Sequence, residues 1–257
     1  RARPDVEFLA SPDDWFRPVN LTIGPDGALY VVDMYRAVVE HPHWLPAELS
    51  RKLPLNAGND RGRIYRVVTA GAIHTQKRRS ETRLVPGDLK SSPVQELVPL
   101  LAHPNAWWRE TAARLLYERQ DQSAGVPLRT LLREGETAQA RCHALWSLDG
   151  IGQLSESDVH VAMTDRNPRV REQAVRFSER WLKTSTTLLR DVVDCSRDAD
   201  SRVRFQVALS LGEAGGGSDV AAALERIALH DRADTWTRLA VLSSTGVHSG
   251  PMLLTLL

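Results

Sequence analysis

Cysteine is almost missing from this chain: Cys142 and Cys195 are the two among 257 residues. They lie far apart, each beside apolar helical positions, and read as buried free thiols. No CxxC or CxxCH occurs, which excludes an attached c-type haem and a Cys-rich zinc site within these residues. Charge of one sign is missing too. The 33 Lys and Arg against 32 Asp and Glu leave a net charge of +1, so no global field recruits nucleic acid or an anionic membrane surface. The cluster Lys77-Arg78-Arg79 reads as solvated linker. No apolar run approaches the roughly 20 residues of a membrane span, and Arg1-Ala2-Arg3-Pro4 lacks the apolar core of a signal peptide. That start falls inside a patterned segment, so it bears on nothing before it. A hydrophobic share of 42% is ordinary for globular protein, and the length suits two domains.

What is present first is a hairpin. Val19, Leu21 and Ile23 precede the turn Gly24-Pro25-Asp26-Gly27, and Ala28-Leu29-Tyr30-Val31-Val32-Asp33 follows it. Gly and Pro preset the turn dihedrals and Asp bonds its own backbone, while Leu21, Ile23, Leu29 and Val31 alternate as half-buried strands do. Residues 6–9 read as a preceding strand and Gly62-Arg63-Ile64-Tyr65-Arg66-Val67-Val68 as a closing one. Together they predict one antiparallel four-stranded β-propeller blade over residues 1–70. An insertion at 34–58 contains a short helix at Pro46-Ala47-Glu48-Leu49-Ser50-Arg51-Lys52-Leu53, and insertions of that length tend to be functional. A single blade has nothing to pack against, so the expectation is a piece of a larger protein.

Residues 71–92 are charged, aperiodic and punctuated by Pro86-Gly87, the composition of a linker. From residue 93 the period becomes 3.6, with Leu97, Leu100 and Leu101 on one helix face and Trp108, Ala112, Leu115 and Leu116 on the next. The pair then recurs. Arg109, Arg141, Arg171, Arg204 and Arg238 hold equivalent places at intervals of roughly 30 to 34 residues. Three residues later stand Ala112, Ala144, Ala174, Val207 and Val241, small enough for close helix approach. Turns such as Asp165-Arg166-Asn167-Pro168, Asp198-Ala199-Asp200-Ser201 and Asp231-Arg232-Ala233-Asp234 precede second helices and supply caps for them. Residues 93–257 therefore resemble about five stacked HEAT-type pairs. The fold class expected is α+β and multidomain: a partial β-propeller followed by an α-solenoid. Pro251-Met252-Leu253-Leu254-Thr255-Leu256-Leu257 begins an apolar helix without a polar outer face, which points to truncation at this end as well.

The repeated Arg has two readings. In HEAT repeats an Asp at the turn and an Arg in the second helix form a ladder of ion pairs between units, and this structural role is the favoured one for Arg109, Arg141, Arg171 and Arg204. The other is an Arg-lined groove for an anion.

Trp15-Phe16-Arg17-Pro18-Val19-Asn20, the run from Gly24 to Arg36, Glu40-His41-Pro42 and the run from Asn59 to Val67 together resemble the last propeller blade of the glucose/sorbosone dehydrogenase family, as found in large membrane-bound dehydrogenases of planctomycete type. The resemblance covers about a quarter of the chain. It implies a parent in which a propeller is followed by HEAT-like repeats and a haem-binding cytochrome c domain, in a periplasmic or other extracytoplasmic location. The family's quinone-dependent members oxidise sugar hydroxyls with pyrroloquinoline quinone and a His base, which would lie in another blade; the fragment then has no catalytic residue or cofactor of its own, and its partners are the rest of the propeller and the cytochrome domain. Arg17 falls where those members carry an Arg near the quinone, Val19 where they carry a second Arg, and Asn20 where they carry Asp.

Arg17 and Asn20 are thus the candidates near a substrate or cofactor, Arg17 through charge-assisted contact with an anionic oxygen or, structurally, as a blade-edge salt bridge. His41 and His43, beside Glu40, are weak metal candidates, because three ligands in four loop residues rarely converge. Asp33 and Asp60 read as turn-bonding residues and Trp108 as core. Two functions stand beside each other. The first is a fragment of a sugar or alcohol dehydrogenase; the second is a non-catalytic propeller and HEAT scaffold that binds protein or polysaccharide. Nucleic acid as a partner is not expected, nor is a membrane span in this segment.

Overall fold

The computed structural model describes residues 6–68 and 89–246. The class is α+β, with two compact units: a β unit of residues 1–87 together with Asn105–Trp107, and a helical unit made of the rest of residues 88–257. Residues 69–88, which hold most of the expected linker, and the apolar segment from Pro251 lie outside the described residues.

In the β unit, β1 (Pro18–Ile23), β2 (Leu29–Asp33) and β3 (Arg63–Val67) form one antiparallel sheet in the order β1-β2-β3. Leu21 pairs with Val31 and Ile23 with Leu29, so the alternation seen in sequence does put these four on one face. The turn is built as its residues require. Gly24 N donates to Ala28 O at 2.9 Å, Gly27 adopts φ +78°, a left-handed conformation that glycine takes without a Cβ clash, and Asp26 Oδ1 accepts the Ala28 amide at 3.1 Å. Asp26 Oδ2 also accepts Arg66 Nε at 2.6 Å, which ties the turn to β3. The insertion holds α1 (Ala47–Lys52).

The four-stranded blade is corrected to three strands among the described residues. Residues 6–9 are bends and coil, with Phe8 80% exposed. Just beyond them the chain is held in a local turn, where Asp13 N donates to Ser11 Oγ and Trp15 N to Asp13 Oδ1. The chain turns there rather than running along β1, and these residues do not build a propeller by themselves.

Among the described residues the helical unit contains five pairs: α2 (Val94–Leu100) with α3 (Ala106–Arg119), α4 (Gly125–Glu134) with α5 (Ala138–Gly150), α6 (Glu156–Met163) with α7 (Pro168–Ser178), α8 (Thr186–Cys195) with α9 (Ser201–Ser210), and α10 (Ser218–His230) with α11 (Thr235–Ser244). Side-chain caps start the second helices. Asn105, Thr137, Asn167, Asp200 and Asp234 each accept an amide of the following turn, which satisfies a donor that the helix leaves free. Ser155 and Asp158 form a reciprocal capping box at α6. Second helices stack on second helices, α5 on α7, α7 on α9 and α9 on α11, and first helices likewise. One core runs between the two layers. Leu97, Leu128, Leu148 and Leu188 enter it from both sides, and Ala112, Ala144 and Ala174 are fully buried where α3, α5 and α7 approach their neighbours. Among the described residues no helix is long and apolar enough to cross a membrane.

Candidate functional site

In the β unit the candidates gather around Asp33, which ends β2 with 1% of its surface exposed. Its Oδ1 accepts Arg17 N at 2.8 Å and Tyr35 N at 2.9 Å. Its Oδ2 is buried without a hydrogen bond, with Arg63 Nε 4.0 Å away. Tyr35 takes φ +52° and carries the Arg63 guanidinium 3.7 Å above its ring. Gly58 backs this knot closely, since a Cβ there would meet Tyr35 O at 2.2 Å. A shallow concavity of about 400 Å³ opens alongside, lined among others by Val32, Asp33, Arg36, Asn59 and Arg63. Arg17 is half-buried and its Nη1 donates to Phe16 O at 3.1 Å. Asn20 is exposed on β1 opposite Val32.

His41 and His43 stack ring on ring at 5.1 Å, and His41 Nδ1 accepts the His43 amide at 3.3 Å. Among the described residues no group of three His, Cys, Asp or Glu side chains is placed to hold a metal. Asp60 is solvated, its carboxylate 3.9 Å from Arg61 Nε.

Three of the repeated arginines, Arg141, Arg171 and Arg204, do two things each, and Arg109 does the first alone. Nη1 reaches back to the turn of its own unit: Arg109 to His103 O, Arg141 to Gly135 O, Arg171 to Asp165 O and Arg204 to Asp198 O, at 2.6 to 2.8 Å. The other edge of the fork reaches the next unit, Arg141 to Asp165, Arg171 to Asp198 and Arg204 to Asp231. Bidentate geometry of this kind is strong and directional. Burial pushes the Asp165 and Asp198 carboxyls up, but the arginine hydrogen bonds and a turn amide outweigh it and hold both below the ordinary range. For Asp231 the Arg204 hydrogen bond is the chief cause of the same depression. Arg109 has no such rung. Gly135 stands where Asp165 and Asp198 stand, two residues before the cap of the next second helix, and Arg109 Nε is buried without a hydrogen-bond partner.

A strip of aromatic and cationic side chains crosses the second-helix layer. Trp146 of α5 is 43% exposed. Its Nε1 donates to Gln173 Oε1 at 3.2 Å, its ring meets Phe177 edge-on at 4.7 Å, and the Arg176 guanidinium lies 5.7 Å over it. Arg180 sits over Phe177 and Trp181 while pairing with Asp149. Tyr117 of α3, also exposed, lies against Gly150, where a Cβ would meet its ring at 3.1 Å. The strip is braced by these contacts, partly apolar and open to solvent.

Residues 156–244 match the family of HEAT repeats. That match covers the third to fifth pairs and supports a helical solenoid there. Residues 1–71 match a domain of unknown function, DUF7133. No curated protein matches the chain.

On the opposite, first-helix layer of the HEAT array, α6 and α8 border a concavity of about 360 Å³ lined by His160, Met163, Asp191 and Cys195, among others. His160 Nδ1 and Asp191 Oδ2 are 2.6 Å apart. Burial pushes the Cys195 thiol up to about 11, as it does Cys142, so neither is poised as a nucleophile. Both thiols are free and half-buried rather than fully enclosed. Residue type alone does not mark Trp146 and Arg176, but spacing does: each stands five residues after a repeated Arg, as does exposed Leu209, so one exposed row recurs along the array.

Proposed function

We propose that the HEAT array is a protein-binding scaffold and that the Tyr117–Trp146–Arg176 strip is its contact surface. The observation that supports this most directly is Trp146, a large aromatic left 43% exposed although it is braced by Gln173, Phe177 and Arg176. Trp, Tyr and Arg are the side chains that carry most binding energy at protein interfaces, chiefly when already held in place. HEAT repeats present such surfaces along stacked helices. Selection of phage-displayed peptides on the chain tests the reading. Peptides recovered on the native protein should lose at least about tenfold in affinity for Trp146→Ala and for Arg176→Glu, with unchanged circular dichroism. Recovery of nothing, or of peptides indifferent to both variants, counts against it.

A second reading concerns the β unit, as a blade of an extracytoplasmic sugar or alcohol dehydrogenase whose propeller, quinone and haem domain lie outside these residues. It is supported by the Trp15-to-Arg36 string and by the anchoring of Arg17 N on Asp33, which fixes the backbone that presents Arg17. In the full-length parent, Arg17→Lys should lower alcohol oxidation at an unchanged melting temperature, because Lys keeps the charge and loses the planar fork. An early-melting variant with normal turnover would reduce Arg17 to a structural residue.

A further inference from the structure

Helix α11 leaves unmet what α5, α7 and α9 each deliver to the unit that follows. The eighth residue after the helix cap is Leu145 in α5, Val175 in α7 and Ala208 in α9, all fully buried. In α11 that place belongs to Leu242, which is 65% exposed. Since α11 packs on α9 behind it, the missing cover is what a following unit supplies. The fourth residue after the cap is the ladder arginine. Arg141, Arg171 and Arg204 each reach an Asp of the next turn, whereas among the described residues no carboxylate pairs with Arg238, whose own amide makes the ordinary helical bond to Asp234 O. Trp236 and Leu239 add exposed apolar surface on the same helix.

We infer that α11 is a docking face for one more helical pair of the HEAT type, with an Asp in its inter-helix turn that closes on Arg238 and an apolar second helix that covers Leu242. Two other occupants lack the carboxylate that would close on Arg238. A second copy of this chain stacked head to tail would offer the first turn of its array, His103-Pro104-Asn105, which has no carboxylate. Residues 247–257, His-Ser-Gly-Pro-Met-Leu-Leu-Thr-Leu-Leu after Val247, contain no Asp or Glu either.

The test uses the chain itself and an appended copy of its own last pair. A copy of residues 211–244 is fused after Ser244 in place of residues 245–257, so that the copied linker, turn and Asp231 follow α11 in the register by which the originals follow α9. The fusion should gain helix by circular dichroism and melt at least ~3 °C higher than the unfused chain. That gain should vanish with Arg238→Gln, or with Asp231→Asn in the appended copy alone. A fusion without added helix, or a gain indifferent to both substitutions, overturns the inference. A second measurement uses the 257-residue chain. A maleimide should label Leu242→Cys at the rate of an exposed thiol, well ahead of Cys142 and Cys195; slow labelling would mean that the face is already covered and overturns the inference as well.

Discussion

Arg141 holds Asp165 by two parallel hydrogen bonds, Nε to Oδ2 at 2.6 Å and Nη2 to Oδ1 at 2.8 Å, while its Nη1 closes the turn of its own unit on Gly135 O. One guanidinium therefore fixes both a turn and the spacing to the next pair.

Removing that group leaves a buried carboxylate without its cation, held by the Asn167 amide. With side chains only 4% and 9% exposed, Arg141→Ala should cost about 3 to 5 kcal/mol in urea unfolding. Arg114→Ala, which breaks an exposed pair with Glu118 on α3, should change stability by no more than about 1 kcal/mol. Equal losses for the two variants would deny the ladder its role.

Acid should act mainly late on the array. The folded carboxyls of Asp165, Asp198 and Asp231 titrate below their ordinary value, so they bind protons less readily folded than unfolded. Their contribution is present above about pH 4, the unfolded value, and is lost as pH falls through the depressed folded values. Burial holds the His143 imidazole below its ordinary value, so a shallow loss begins as pH falls below about 6.5, and the carboxylates add a steep fall below about pH 4. Asp198→Asn should flatten that steep limb and leave the shallow one in place, and a steep limb indifferent to Asp198→Asn would contradict the assignment.

Trp108 begins the inner face of α3 and is 2% exposed, beside the His103 ring. Trp108→Ala should destabilise the helical unit by about 3 to 5 kcal/mol. Trp107, half-buried one position round the helix, should cost clearly less. Thermal melts of the two variants compare them directly.

Thiol chemistry offers an independent check on packing. With Cys142 and Cys195 pushed up to about 11, about one thiol in a thousand is ionised at pH 8. Reaction with Ellman's reagent should be slow in the native protein, accelerate about tenfold per pH unit toward pH 11, and become rapid in denaturant. Two fast native thiols at pH 8 would show that α5 and α8 pack differently.

Local chemistry was legible in the chain. The Gly24-Pro25-Asp26-Gly27 turn, the alternating Leu21, Ile23, Leu29 and Val31, and the caps Asn105, Asn167, Asp200 and Asp234 all act on neighbours within a few residues, so short-range pattern suffices to find them. The repeat interval was legible for the same reason, because each pair restates one helical period. Residues 6–9 have the apolar content of a strand, yet pairing depends on whether the backbone arrives alongside β1, and the chain enters a local turn at Ser11 to Trp15 instead. Residue types could name Arg and Asp as ladder material, but which Asp each Arg meets, 24 or 27 positions on, and the gap at Arg109 follow from how units stack. So does the exposure of Trp146, Leu242 and Trp236. Sequence marks these as large and apolar, and burial is a property of the surface that a neighbouring helix does or does not cover.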